Sequence, residues 1–310
     1  MQIHLNPKNI GILCMIAGFL YLGYLLFSSN NNFPELTVEF KDVMSYAVLA
    51  VEMGGHAVKK IYDENALNIQ LKGQTDVGKA ELLTKADLVS NHLILDLLQR
   101  FSALGMTIIS EEKASGMSED EVSKYRDDNY QLWLDYKDAL NLMPSTKYDM
   151  SRMNIWIDPL DATQEFTEGL TQYVTTMACI TIDGRPVFGA IYRPFFDETS
   201  KLSHAGKVQE LVNTALKGQY TVEPAGGSGY KTLRLINSTA EYYIHSTAIK
   251  KWDLCAGDAI IRAAGGALID LEGESIDYNS KLPVLNKKGL FMARKNVYSS
   301  FMEIKDYLKI

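Results

Sequence analysis

Apolar residues at helical spacing (Val38, Phe40, Val43, Met44, Ala47, Val51 and Val58) predict a helix over residues 37–64, softly interrupted at Gly54-Gly55. LNIQLKG then reads as a strand leading into a mobile loop, Gly73–Glu81. Leu88, Leu93, Leu97 and Phe101 form one stripe and predict a helix over 86–101. A short strand at Met106–Ser110 ends in Glu111-Glu112, and residues 113–152 are polar and aperiodic, as in an insertion lying over one face. Ile155–Ile157 reads as a buried strand, with a helix starting near Thr163. The clearest hairpin is YVTTMACITIDGRPVFGAIYRP, two β-rich runs joined at Asp183-Gly184. Beyond it the pattern predicts a helix at Val208–Leu216, a Gly-rich turn in AGGSGYK, a strand in AEYYIHS and a turn and helix in KKWDLCAGDAIIRAAGG. Strands near Ala267–Leu271 and Gly289–Ala293 and a terminal helix complete a mixed α/β layered fold.

The N-terminus differs in kind. IGILCMIAGFLYLGYLLF, residues 10–27, is a run of 18 uncharged residues, at the lower edge of a membrane span. A cleaved signal peptide is the competing reading, but the run is long for one and SSNNNFPEL lacks a small-x-small cleavage site. Lys8 precedes the run and Glu35 is the first charge after it, so the short N-terminus is expected to stay cytosolic and the body to enter the lumen. Asn237-Ser238-Thr239, a glycosylation sequon, is usable only there. The expected divisions are a cytosolic segment 1–9, an anchor 10–27, a stem 28–36, a metal-binding α/β part 37–195 and a second α/β part 196–310.

Composition adds exclusions. A net charge of −7 over 310 residues argues against unspecific nucleic-acid binding, while leaving room for a small phosphorylated substrate whose charge bound cations offset. Three cysteines are too few for a disulfide framework. Cys14 lies in the apolar run, and Cys179 and Cys255, the pair that could join, read as two reduced core thiols.

Acidic residues stand where an apolar run meets a turn or helix start: Asp87, Glu111 with Glu112, Asp158, Asp161 and Asp253. Singly, each has an ordinary reading as a turn, cap or solvated acid. Jointly, they occupy the strand ends where layered α/β proteins build sites. Gathering them without neutralisation would cost several kcal/mol per desolvated charge. Hard divalent cations remove that cost, and an all-oxygen set without clustered His or Cys favours magnesium over zinc. Pro159 stiffens the turn so that Asp158 and Asp161 point to one side, and Thr163 opens a helix whose amides can receive phosphate.

The segments LLTKADLVSN, ISEEK, WIDPLDATQEF and KKWDLCAGDAII, in this order, resemble the lithium-sensitive, magnesium-dependent phosphomonoesterases, the superfamily of inositol monophosphatases, fructose bisphosphatases and bisphosphate nucleotidases. The resemblance spans roughly residues 38–300 and implies a layered αβαβα sandwich behind the transmembrane helix. It implies Glu111, Asp158, Leu160 (by its carbonyl), Asp161 and Asp253 as ligands of two or three Mg2+ ions, with inhibition by Li+. Asp87 and Thr163 match the pair that orients and deprotonates the attacking water. PAGGSGYK and YIHSTAIKKWDLCAG point to the anchored bisphosphate nucleotidases of the Golgi, hence to adenosine 3′,5′-bisphosphate as substrate, with Thr163, His204, Gly227 and Lys231 as substrate contacts. A homodimer is compatible with this kinship. An inositol monophosphatase or broader sugar phosphatase is the alternative, as is a catalytically weak isoform.

The resemblance breaks once. Relatives continue from the hairpin into another strand and a V-S-R-S-H strand end, whereas here FFDETSKLSHAGKVQELV follows Pro194 and only residues 195–225 precede Gly226. Ser203-His204 look like a remnant of that element. A missing strand near residues 196–205 would leave Val187–Tyr192 with an unpaired edge.

Overall fold

The computed structural model describes residues 15–21, 23, 36–74, 78, 80–114, 116–127, 129–196 and 221–307. Met1–Leu36 and Thr37–Ile310 form separate units. In the first, residues 15–21 are helical. Among the described residues no helix is long and apolar enough to cross a membrane. Most of the expected anchor, 10–27, lies outside them, as do the expected helix at Val208–Leu216 and His204.

In the second unit, β1 (Thr37–Glu39) leads into α1 (Phe40–Asp63), and β2 (Gln70–Gln74) pairs with β3 (Ala80–Leu83) ahead of α2 (Lys85–Ser102). Next come β4 (Thr107–Ser110), α3 (Glu119–Ser123), α4 (Gln131–Asn141) and β5 (Lys147–Asp149), which pairs with β1. Then follow β6 (Met153–Asp161), α5 (Thr163–Thr167), β7 (Thr175–Ile182) and β8 (Arg185–Tyr192). The C-terminal stretch holds α6 (Ser228–Ile236), β9 (Tyr242–His245), β10 (Ile249–Lys250), α7 (Lys251–Ala263), β11 (Ala267–Ile269), β12 (Leu285–Asn286), β13 (Leu290–Ala293) and α8 (Val297–Ile304).

The main sheet has the order β4-β6-β7-β8, with β4 parallel to β6 and the other pairs antiparallel. Strand alternation splits its core in two. Ile155, Ile157, Ala178 and Ile180 pack against α1 and α2 on one face, while Trp156, Met177 and Cys179 meet α7 on the other. Each fully buried isoleucine contributes about 1.5–3 kcal/mol. Beyond α7 lies the sheet β11-β13-β9, whose far face packs on Val297, Phe301 and Ile304 of α8. The order helix, sheet, helix, sheet, helix is the expected αβαβα sandwich.

Several local expectations change. Gly54-Gly55 does not interrupt α1; the glycines bring it close to its neighbours, since a Cβ at Gly54 would strike Ser90 and Ile94 and one at Gly55 would strike Tyr192. Part of the expected loop Gly73–Glu81 is hairpin, in β2 and β3. Residues 113–152 contain α3, α4 and β5; Trp133 and Leu140 of α4 pack on the α1 side of the core, while Leu132 and Leu134 face outward and blur the apolar period. The β7–β8 turn is as expected, with positive φ at both Asp183 (50°) and Gly184 (76°), as in a type I′ hairpin. Among the described residues β8 is an edge strand.

Cys179 and Cys255 are disulfide-bonded, with Cα atoms 5.6 Å apart, which corrects the expectation of two thiols. Apolar periodicity places each inside the protein, but that β7 and α7 face one another there is a property of the layering.

Candidate active site

The site grows from the end of β6. In an unbroken strand, residues three apart face opposite sides of the sheet. Here Asp158 pairs with Met177 and Asp161 with Thr175, so β6 carries one extra residue across this interval. That bulge at Pro159-Leu160 brings both acids to the same side, and it is a place where a strand tolerates proline. The strand thus continues to Asp161, where the sequence suggested a turn after Ile157. The bulge is pinned from two directions: Ser90 Oγ donates to the Pro159 carbonyl at 2.7 Å, and Leu160 N donates to Asp158 Oδ1 at 3.1 Å. Ala162 then adopts a left-handed conformation (φ 70°), uncommon for a residue with a Cβ, which swings the chain into α5.

Carboxylate oxygens of Glu111, Asp158 and Asp253 lie within 4.8 Å of one another. Glu111 comes from the end of β4, whose parallel pairing with β6 sets it beside the bulge; Glu111 N donates to Ile157 O at 3.1 Å. Asp253 sits in the first turn of α7 and accepts from Lys250 N at 3.2 Å. Glu112, the neighbour of Glu111 in sequence, is buried and stands outside the trio.

Asp161 is adjacent to the trio, and its charge pushes up the pKa of both Asp158 and Asp253. Its Oδ2 accepts from Gly229 N at 2.8 Å and from Thr175 Oγ1 at 3.1 Å, and this ties the Gly-rich turn to the bulge. Gly227 in that turn has φ 60°, and a Cβ there would collide with the Tyr173 carbonyl. Lys231, one turn into α6, lies with Nζ 4.6 Å from the Tyr243 ring centroid and sends its positive charge towards Asp161 and Glu165.

Asp87 and Thr163 meet. Asp87 Oδ2 accepts from Thr84 N at 2.7 Å and Thr84 Oγ1 at 2.6 Å, closing a capping box at the start of α2. Asp87 Oδ1 faces the other way and lies 3.1 Å from Thr163 Oγ1, which is also 3.2 Å from the Leu160 carbonyl. One aspartate therefore serves both its cap and the site.

Burial is the largest influence on every acid here. It pushes Asp87 up to about 7 against the opposing Thr84 hydrogen bonds. Asp158 and Asp253 rise well above the usual carboxylate range through burial and then the charge of Glu111. Glu111 rises through burial, opposed by the Lys72 ammonium, and Asp161 rises through burial, opposed by the Gly229 and Ser228 N–H groups. Clustered carboxylates, buried at Asp158 and Asp161 and half-buried at Glu111 and Asp253, fit a hard divalent cation, and the buried Leu160 next to Asp161 offers its carbonyl to the same oxygen set.

Sequence reading missed three participants. Lys72 on β2 places Nζ 3.2 Å from Glu111 Oε1 and also pairs with Glu112; burial lowers its pKa, but these two acids outweigh that and raise it. Ser90 is one turn beyond Asp87 on α2, a spacing that marks a shared face. Thr175 had no signal, because its link to Asp161 is across strands.

The Inositol monophosphatase family model matches residues 40–209 and 199–300. Inositol monophosphatase 3 of Xenopus tropicalis is 36% identical over 337 aligned positions, covering 94% of this chain and 91% of the relative. The Golgi-resident adenosine 3′,5′-bisphosphate 3′-phosphatase of Homo sapiens is 32% identical over 333, covering 90% of each. Both alignments are longer than the chain's 310 residues, so these relatives carry residues without a counterpart here, and the family match breaks near residues 199–209. The fold is similar to extragenic suppressor protein suhB of Bartonella henselae (TM-score 0.59, 18% identity, 86% of this chain and 98% of that one). It is also similar to CysQ of Bacteroides thetaiotaomicron (TM-score 0.55, 19% identity, 83% and 99%).

Proposed function

The chain belongs to the inositol monophosphatase family and is a phosphoric monoester hydrolase; from that premise we propose that it removes the 3′-phosphate of adenosine 3′,5′-bisphosphate, yielding AMP and phosphate, with magnesium as its metal. The observation that carries this reading is the convergence of Glu111, Asp158 and Asp253 beside the hydrogen-bonded pair Asp87–Thr163. Glu111, Asp158, Asp161 and Asp253, with the Leu160 carbonyl, would hold two or three ions. Magnesium held by these residues would supply positive charge to offset the clustered carboxylates, to lower the pKa of a water and to stabilise the leaving 3′-oxygen.

The chain's own groups do the rest. Thr163 donates its hydroxyl proton to Asp87 Oδ1 and so offers its oxygen lone pairs to the attacking water. As the water oxygen approaches phosphorus in line, its proton passes to Thr163 and the threonine proton to Asp87. Burial raises the Asp87 carboxyl in the metal-free protein to about 7, which strengthens it as a proton acceptor. On the substrate side, Thr163, Gly227 and Lys231 contact the nucleotide, Lys231 acting as a point charge for a phosphate. His204 is assigned there by family resemblance, as is inhibition by Li+.

We place the enzyme at the Golgi membrane, single-pass and type II, with residues 10–27 as anchor, 28–36 as stem, and the catalytic parts 37–195 and 196–310 in the lumen. A buried disulfide suits an oxidising compartment, Asn237 of the sequon is exposed at the end of α6, and Golgi-resident relatives exist. The inositol phosphatase named among the relatives keeps inositol phosphates as the second reading. Phosphate release by the full chain, titrated with Mg2+ on adenosine 3′,5′-bisphosphate and on inositol phosphates, separates them: higher kcat/KM on the nucleotide supports the proposal, and preference for inositol phosphates overturns it.

A further inference from the structure

The disulfide sits directly behind the carboxylate cage. Cys179 pairs in register with Trp156 of β6, two residues before Asp158, and Cys255 follows Asp253 by two residues, about 3 Å along the axis of α7. The bond thus joins the two arms that carry the ligands, the β6–β7 layer and the start of α7, across 76 residues of sequence. Those arms crowd like charges together, because carboxylate oxygens of Asp253, Asp158 and Glu111 lie within 4.8 Å of one another. Lys72 reaches Glu111 and Glu112, and Lys250 lies beside Asp253, so the lysines soften this repulsion from the rim. Packing of Leu254 and Ala256, both fully buried, also holds α7 down. Among the described residues the disulfide is the one covalent cross-link that does so, two residues from Asp253.

We infer that Cys179–Cys255 is a positioning staple: it presets the distance between Asp253 and the Asp158 strand, so that metal binding need not first pull α7 in against carboxylate repulsion. The inference rests on the metal reading of the cage. Its consequence is a site tuned to its compartment, with oxidised protein loading Mg2+ at lower concentration than reduced protein.

The test compares the full chain with the Cys179→Ala/Cys255→Ala double variant. Mg2+ affinity is measured by titration calorimetry, alongside the Mg2+ concentration giving half-maximal phosphate release. The staple predicts that the Mg2+ Kd and the activation midpoint both rise about tenfold, the scale set by groups that orient metal ligands, while kcat at saturating Mg2+ stays close to that of the parent. Should the double variant not fold, the same quantities are read on Cys255→Ser and on the parent protein after reduction by a phosphine. There one phosphine and one water convert the disulfide to two thiols and a phosphine oxide. A lowered Tm with unchanged Mg2+ affinity would make the bond merely structural and overturn the inference, as would free Cys179 and Cys255 thiols in protein purified without reductant. A parent protein indifferent to Mg2+ would instead contradict the proposed function.

Discussion

The bulge within β6 and the Gly-rich turn before α6 are both backbone irregularities facing the same site, yet they are held very differently. At the bulge, Asp158, Pro159, Leu160 and Asp161 are all buried, and Ser90, Thr175 and Asp158 itself fix the backbone and carboxylates. Among the described residues the Gly-rich turn is tied by one outside carboxylate, Asp161, and by close approaches of Gly226 to Glu165, Gly227 to Tyr173 and Gly229 to Thr175. One is a scaffold built by the core; the other is held to the scaffold by Asp161, a proposed metal ligand. Substitutions at the first should abolish chemistry, whereas those at the second should weaken binding.

The largest effect is expected at the bulge. Asp158→Asn removes a charge from the centre of the cage, and kcat should fall by about 10³-fold or more. Its fold should survive, because the amide still accepts from Leu160 N; circular dichroism checks this beside the assay. Next comes Asp87→Asn, which keeps a hydrogen-bond acceptor for Thr84 but cannot take the proton relayed through Thr163. Its kcat should fall by about 10²- to 10⁴-fold with KM little changed. On the other turn, Lys231→Met removes the charge proposed to meet a substrate phosphate, and KM should rise about tenfold to a hundredfold while kcat changes little. A collapse of kcat in that variant would erase the distinction between the two regions.

The smallest effect is one of pH. Asp87 is raised from 3.8 to about 7, and Glu111, Asp158, Asp161 and Asp253 are also raised, so in the absence of metal the folded state binds these protons more tightly than the unfolded chain. Their contribution to stability is therefore most favourable at low pH and is lost as pH rises from about 4 to about 7. Mg2+ competes with the same protons, so the rise in Tm on adding it should grow over that window. A shift independent of pH would place the ion elsewhere.

What could be read from the sequence follows from range. Apolar periodicity exposes α1, α2 and the β7–β8 hairpin, because each is a local repeat. The acids Asp158, Asp161, Glu111 and Asp253 were legible because each closes an apolar run, and strand ends in a layered fold converge. Lys72, Thr175 and the Cys179–Cys255 bond were not, because nothing near each residue names its partner; the contact exists only once strands are in register and helices are laid across them. The α4 packing of Trp133 and Leu140 was hidden because the outward-facing Leu132 and Leu134 break the apolar period of the buried stripe.

The central claim is that acids distant in sequence form one cage for divalent cations. Calorimetric titration of the full chain with Mg2+ near neutral pH tests it most directly. Saturable binding of more than one ion per chain, strongly weakened by Asp158→Asn, is the predicted result. Titrations that coincide for the parent and the variant, or no binding to either, would contradict it.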